Sequence, residues 1–94
     1  MDKNLHIFLK SLDLEDEDIN VLVETCPGLD LVDEERALLC AKTIVDAGYP
    51  ECDLDSLICM NPGVLLYNPK DLKKKLSNFH GDIEDILKSN PNVI

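Results

Sequence analysis

Three prolines stand at equivalent places in this chain, and each one ends a short helical pattern. They are Pro27, Pro62 and Pro91. Proline lacks a backbone N–H and disfavours helix in the residue before it, so each helix should end at a fixed position. The residue two positions after each proline is apolar: Leu29, Val64 and Val93. These residues are expected to fold back onto the core and to set the turn into the next helix.

The residues before the prolines repeat as well. An acid is followed at fixed offsets by apolar residues in three registers: Asp18, Ile19, Leu22 and Val23; Asp53, Leu54, Leu57 and Ile58; Asp82, Ile83, Ile86 and Leu87. The prolines are 35 and 29 residues apart, so the third copy is shortened. A helix pair of about 30 residues cannot bury its apolar face alone, so the pairs must stack.

The predicted fold is therefore all-α: stacked helix-pair repeats, a short α-solenoid of about six helices. The chain forms one domain over residues 1–94, with repeat registers at about 5–31, 33–66 and 68–94. Apolar residues recur at helical spacing and no segment alternates as a strand would. Gly48 is predicted to end the third helix. The predicted core consists of Leu9, Leu12, Ile19, Leu22, Val23, Leu38, Ala41, Ile44, Val45, Leu54, Leu57, Ile58, Leu65, Leu72, Leu76, Ile83, Ile86 and Leu87.

Charge limits the partners. Nineteen acids against nine bases give a net charge of −10. Residues 1–65 hold fifteen acids and four bases, whereas residues 66–94 hold four acids and five bases. A negative field repels phosphate backbones and anionic lipid within the Debye length, about 8 Å in physiological salt. No apolar stretch approaches the roughly 20 residues of a membrane span, so no membrane partner is expected.

Cysteines and other reactive residues give no catalytic pattern. The four cysteines are widely spaced, no signal peptide precedes them, and free, mostly buried thiols in the cytoplasm are expected. His6 and His80 have no neighbouring ligands at metal spacing, and no serine elbow or glycine-rich phosphate loop occurs. The acidic run from Asp13 to Asp18 lacks the glycine and the final glutamate of a calcium loop. We expect no enzyme, no metal and no cofactor.

Three segments share a longer pattern: FLKSLDLEDEDINVLVETCPGL, TIVDAGYPECDLDSLICMNPGVLLYNP and the shortened LSNFHGDIEDILKSNPNVI. It resembles the repeat of the mitochondrial transcription termination factor (mTERF) family: a long helix, Leu-Gly, an acidic entry, a short helix and Pro-x-Leu-Leu. The second segment keeps Gly48 and the tail 62–66, and the first has Asp13 where glycine is usual. The resemblance covers about 80 of the 94 residues.

The resemblance implies a solenoid curved into a half-doughnut, with a basic inner groove that binds nucleic-acid backbones. This chain would be a short form with about three repeats. It departs from the family in the strong acidity of residues 1–65.

The sequence offers three candidate binding surfaces: one for nucleic acid and two for protein. The basic cluster on the fifth helix is either a set of phosphate contacts or a solvated helix face: Lys70, Lys73, Lys74 and Lys75. The acids Glu15, Asp16 and Glu17 either cap a helix or dock a basic protein. The apolar end, Val93 and Ile94, either folds back onto the sixth helix or stacks on another chain, which makes the protein a monomer or a weak homodimer. The predicted function is non-catalytic protein binding, with mTERF-like nucleic-acid binding related to transcription regulation as the alternative.

Overall fold

Helices form all the regular secondary structure of this chain. A computed structural model describes all residues, 1–94, and contains no strand. The six α-helices are α1 (Lys3–Ser11), α2 (Asp16–Thr25), α3 (Glu34–Asp46), α4 (Leu54–Met60), α5 (Pro69–Ser77) and α6 (Ile83–Ser89). Three 3-10 helices lie between α-helices, η1 (Pro27–Asp30), η2 (Glu51–Asp53) and η3 (Pro62–Leu66), and a fourth, η4 (Pro91–Val93), follows α6. The predicted all-α class with six helices is confirmed.

The caps are short polar side chains that accept hydrogen bonds from the first helical turn. Asp33 accepts from the backbone N–H of Arg36 at 2.8 Å, and Asn68 accepts from that of Lys70 at 3.0 Å. Asp2 and Asp82 cap α1 and α6 in the same way. Pro69 occupies the first position of α5, where a backbone N–H would have no partner inside the helix. The absence of this N–H in proline therefore costs no hydrogen bond.

The three proline turns have one conformation. The residues before the prolines have φ, ψ of −134°, 83° at Cys26, −146°, 76° at Asn61 and −148°, 89° at Asn90. The backbone N–H of each donates to the carbonyl four residues earlier, at 2.8–3.0 Å. The apolar residue two positions beyond each proline donates its N–H to the residue before the proline, at 3.0–3.2 Å. Proline therefore ends each short helix and begins a 3-10 turn, as the repeated pattern predicts.

Successive proline turns contact one another. A Cβ atom placed on Gly28 in η1 would lie 2.8 Å from Cδ1 of Leu66 at the end of η3, so the Leu66 side chain packs directly against the Gly28 backbone. The side-chain amide of Asn61 donates to the carbonyl oxygens of Pro91 and Ile94 in the last turn, at 2.9 and 3.3 Å. The turns are thus joined in chain order, while regular solenoid stacking stays a prediction.

α3 is the central helix of the protein, with α1, α5 and η3 packed against it. The guanidinium of Arg36 donates from Nε to the carbonyl of Tyr67 at 3.0 Å and from a terminal nitrogen to that of Leu66 at 2.7 Å. The thiol of Cys40 lies 3.0 Å from the same Tyr67 carbonyl oxygen. These contacts satisfy carbonyls at the end of η3 and hold the second proline turn against its own long helix.

The core is a single cluster of 21 buried residues. Thirteen of the eighteen predicted core residues are in it. Five predicted residues are only half-buried, and the prediction of a core position was wrong for them: Leu12, Val23, Leu38, Val45 and Ile86. Eight buried residues lie outside the predicted core list: Leu5, Leu14, Leu29, Ala37, Cys40, Tyr49, Val64 and Ile94. Two of them, Leu29 and Val64, are nevertheless predicted to fold onto the core by their position after proline. The half-buried residues in helices lie beside the buried stripe of their helix. Most of the buried residues outside the predicted core list lie in turns or at helix starts, where the helical spacing of apolar residues gives no signal.

Three residues have a positive φ, Asp13, Gly48 and Gly81, and the first two stand at equivalent places in the repeat. Gly48, which follows the last residue of α3 by two positions, has φ of 120°, and Asp13 between α1 and α2 has φ of 67°. Gly48 precedes Asp53 by five residues, and Asp13 precedes Asp18 by five. The two residues are therefore equivalent in the repeat, and Asp13 adopts a conformation that glycine adopts with less strain.

Candidate functional site

Charge is sorted between the odd-numbered and even-numbered helices. Eight of the nine basic residues lie in α1, α3 and α5: Lys3, Lys10, Arg36, Lys42, Lys70, Lys73, Lys74 and Lys75. Those three helices contain only four acids, while α2, α4 and α6 contain seven acids and one base, Lys88. The comparison of residues 1–65 with residues 66–94 does not reveal this division. A comparison of the charges on the first and second helices of each repeat would have revealed it.

The four lysines of α5 are exposed and do not behave alike. Lys75 Nζ lies 3.3 Å from the hydroxyl of Tyr67 and 5.6 Å from its ring centroid, so this cation is held on the aromatic ring. Lys70, Lys73 and Lys74 take part in none of the protein's five ion pairs. Lys73 lines a cleft between α3 and α5, which it shares with Lys42. Three lysines of the predicted cluster are thus free to meet an anionic partner.

Two of the three predicted acidic contact residues have local structural partners. Asp16 Oδ1 lies 3.2 Å from Lys10 Nζ and 3.3 Å from His6 Nε2, which joins α2 to α1. Lys10, with a smaller contribution from His6, holds the pKa of Asp16 below its ordinary value. The backbone N–H of Glu15 donates to the Asp18 carboxylate at 3.0 Å. Glu17 is exposed and makes no ion pair.

The junction between α4 and α6 has an ion bridge. Lys88 Nζ lies 2.9 Å from Asp53 Oδ2 and 2.8 Å from Glu84 Oε2. Hydrogen bonds to these two carboxylates raise the pKa of Lys88. Lys88 follows Asp82, the acid that begins the pattern of its own repeat, by six residues. Its ion pair with Asp53 is made to the corresponding acid of the preceding repeat.

The equivalent place between α2 and α4 has a cysteine. Cys59 stands six residues after Asp53, and the nearby charges of Asp18 and Asp55 raise the pKa of its thiol, after partial burial as the main cause. Asp18 is the acid of the preceding repeat that corresponds to Asp53. Asp55 corresponds to Glu84, since each stands two residues after the acid of its own repeat. By their place in the repeat, Asp18 and Asp55 correspond to Asp53 and Glu84, and Cys59 has a thiol where Lys88 has an ammonium group.

The apolar end of the chain folds back onto the protein. Ile94 is 8% exposed and belongs to the core cluster, and Val93 is half-buried against it. Of the two arrangements open for these residues, the structure has the one in which they cover their own repeat. Val93 and Ile94 do not form an exposed apolar surface for another chain.

The cysteines are all free, and the expectation that most are buried was wrong. Only Cys40 is buried; Cys26 is half-buried, and Cys52 and Cys59 are exposed. No group of three or more His, Cys, Asp or Glu side chains is placed to hold a metal ion. None of the helices combines the length and apolar character that crossing a membrane requires.

Comparison of the chain with protein-family models, with curated proteins and with solved structures finds no match. The resemblance to the mTERF family accordingly rests on the repeated motifs alone.

Proposed function

We propose that this chain is a non-catalytic helical-repeat module that binds another protein through an acidic face on α2 and α4. The acidic face consists of Glu17, Asp18, Val21, Glu24, Asp55 and Cys59. The partner would present a basic segment with an apolar residue between its charges. We regard the repeats as a short mTERF-like array and the cytoplasm, where free thiols persist, as its location.

The observation that supports this function is the unneutralised pair Asp18 and Asp55. Lys88 neutralises the equivalent pair at the next junction, but Cys59 supplies no charge here. A lysine or arginine from a partner would occupy the equivalent place and form charge-assisted hydrogen bonds. Docking would also cover Val21, which is 57% exposed between Glu17 and Glu24 on one side of α2. Apolar contact beside charge is the usual composition of a protein interface.

A labelled basic peptide with alternating lysine and leucine residues tests this proposal by fluorescence anisotropy. We expect the double variant Glu17→Lys and Glu24→Lys to weaken binding about tenfold or more, because charge is reversed on both sides of Val21. The double variant Glu34→Lys and Glu35→Lys, which makes the same change in charge on α3, is the control. Equal weakening by both pairs would show attraction by net charge alone and would overturn the acidic face as a site.

Nucleic-acid binding is a second candidate, and the free lysines of α5 favour it. Lys70, Lys73 and Lys74 are exposed without an ion pair, and the mTERF resemblance implies contacts to phosphate backbones related to transcription regulation. Anisotropy with mixed-sequence DNA and RNA at low salt tests it. Salt-sensitive binding that is lost in Lys73→Glu and Lys74→Glu, together with no binding of the basic peptide, would reverse the order of the two functions.

The protein is proposed to act as a monomer or weak homodimer. Light scattering after size exclusion, repeated over a wide concentration range, distinguishes the two states.

A further inference from the structure

The largest cleft of the protein exists because α5 is short. α3 has 13 residues and α5 has 9, although each begins seven residues after the proline of the preceding register. α5 therefore ends about one turn before the end of α3, since a turn takes 3.6 residues. The second half of α3 faces this gap together with the chain that leads into α6, and the resulting cleft has a volume of about 570 Å³.

The lining of the cleft combines an apolar floor with positive charge. The floor is formed by Leu39, Leu76, Phe79 and Ile83. Leu39 is 47% exposed, so part of the floor is open to solvent. Lys42 from α3 and Lys73 from α5 lie at the cleft against one acid, Asp46. Neither lysine forms an ion pair within the protein, although the chain contains 19 acids.

We propose that this cleft binds an acidic amphipathic helix of a partner protein, in the place that a further turn of α5 would occupy. Apolar side chains on one face of that helix would cover Leu39 and Phe79. Carboxylates beside this apolar face would pair with Lys42 and Lys73. Insertion of an amphipathic helix into an apolar groove is a common mode of recognition, and the charge at the rim selects the acidic partner.

The apolar floor of the cleft suits an amphipathic helix better than it suits nucleic acid. A strand of DNA or RNA needs cations along its backbone and exposed rings on which bases stack. This cleft instead has mostly aliphatic side chains beside its two lysines, and its one aromatic ring, Phe79, is half-buried. A second copy of the chain fits poorly as well, because the most acidic helix, α2, exposes only Val21 among large apolar residues.

Two synthetic peptides of about 14 residues, roughly four turns, test the proposal. Both have leucine at helical spacing; one has glutamate at the other positions and the other has lysine. We expect the glutamate peptide to bind and the lysine peptide to leave the cleft empty, as observed through chemical shifts of the methyl groups of Leu39 and Ile83. The variants Lys42→Glu and Lys73→Glu should each weaken the glutamate peptide about five- to tenfold.

Lys70→Glu is the matched control, because Lys70 lies on the same helix as Lys73 but does not line the cleft. It should change the affinity less than twofold, whereas Leu39→Glu should abolish binding without unfolding the protein, since this side chain is already half exposed. Equal weakening by all three lysine variants, displacement of the glutamate peptide by a DNA duplex, or dimerisation that Lys73→Glu abolishes would each overturn the proposal.

This inference is independent of the acidic face. The reversal of charge at Glu17 and Glu24 should leave the affinity for the glutamate peptide undiminished. If the basic peptide does not bind, the proposed function is contradicted and the proposal for the cleft is unaffected. If the glutamate peptide does not bind, only the proposal for the cleft is contradicted.

Discussion

The side-chain amide of Asn61 donates a hydrogen bond to the carbonyl oxygen of Pro91 at 2.9 Å, and a second to that of Ile94 at 3.3 Å. Asn61 directly follows the last residue of α4 and precedes the second proline, and Pro91 begins the last turn. One side chain thus holds the final turn of the protein to the turn before it. Because Asn61 is half-buried, water replaces these bonds only in part when the amide is removed.

We expect Asn61→Ala to lower the free energy of unfolding by about 1–2 kcal/mol. Urea denaturation followed by circular dichroism measures the change. The equivalent residue Asn90 is the control: its side chain accepts one exposed bond, from the backbone N–H of Asn92 at 3.2 Å. Asn90→Ala should cost about 0.5 kcal/mol, as for a weak terminal cap. Equal losses in the two variants would mean that the link between the turns contributes nothing.

The comparison of Cys59 with Lys88 predicts a stabilising substitution. Cys59→Lys should form the ion bridge that Lys88 makes one repeat later, here with Asp18 and Asp55, and raise stability by about 0.5 kcal/mol. Thermal unfolding at low and high salt measures it, and the gain should shrink as salt screens the charges. Cys52→Lys adds the same charge at another exposed cysteine and separates the bridge from the general relief of negative charge. If Cys59→Lys stabilises the protein no more than Cys52→Lys does, the α2–α4 junction is not equivalent to the α4–α6 junction.

The equivalence of Asp13 and Gly48 predicts opposite effects of two substitutions. Gly48→Ala puts a Cβ at φ of 120° and should destabilise the protein by about 1–2 kcal/mol, although space for the methyl group exists. Asp13→Gly relieves strain at φ of 67° and should stabilise by about 0.5 kcal/mol, after the entropy that glycine adds to the unfolded chain. Chemical denaturation measures both. A loss of stability in Asp13→Gly would show that the aspartate side chain contributes more than its backbone strain costs.

Acid should weaken the contact between α1 and α2. The folded protein lowers the pKa of Asp16 from 3.8, so the unfolded chain takes up this proton first as pH falls. The contribution of Asp16 is therefore complete above the unfolded pKa and is lost as pH falls through the lower folded value. The melting temperature of the Asp16→Asn variant should lie below that of the wild type at neutral pH and approach it in strong acid. Glu17→Gln, which removes a charge without an ion pair, should show no such convergence.

The sequence predicts the helices and the proline turns because both depend on local chemistry. Proline lacks an N–H wherever it occurs, and the spacing of apolar residues marks the faces of α1 to α6. Burial in the turns was harder to predict. Leu29 and Val64 were placed correctly by their position after proline, but Tyr49 and Leu14 lie in loops without a period, and their burial depends on which helices meet there.

The candidate sites were predicted less well, because they depend on pairs of residues that are distant in sequence. The α5 lysines were visible as a cluster, but the partner of Lys73 across the cleft, Lys42, comes 31 residues earlier. The acidic run at 13–18 was also visible, whereas its use of Lys10 and His6 requires the angle between α1 and α2. The difference between Lys88 and Cys59 could have been read from the aligned repeats, since both stand six residues after a register acid.

The separation of basic residues into α1, α3 and α5 makes the distribution of charge over the helices uneven, in addition to the net charge. A charged partner then experiences a torque as well as an attraction, and it arrives already turned towards one side. A chain with a net charge of −10 can thereby attract anionic partners to its odd-numbered helices and cationic partners to its even-numbered ones, and added salt weakens both attractions.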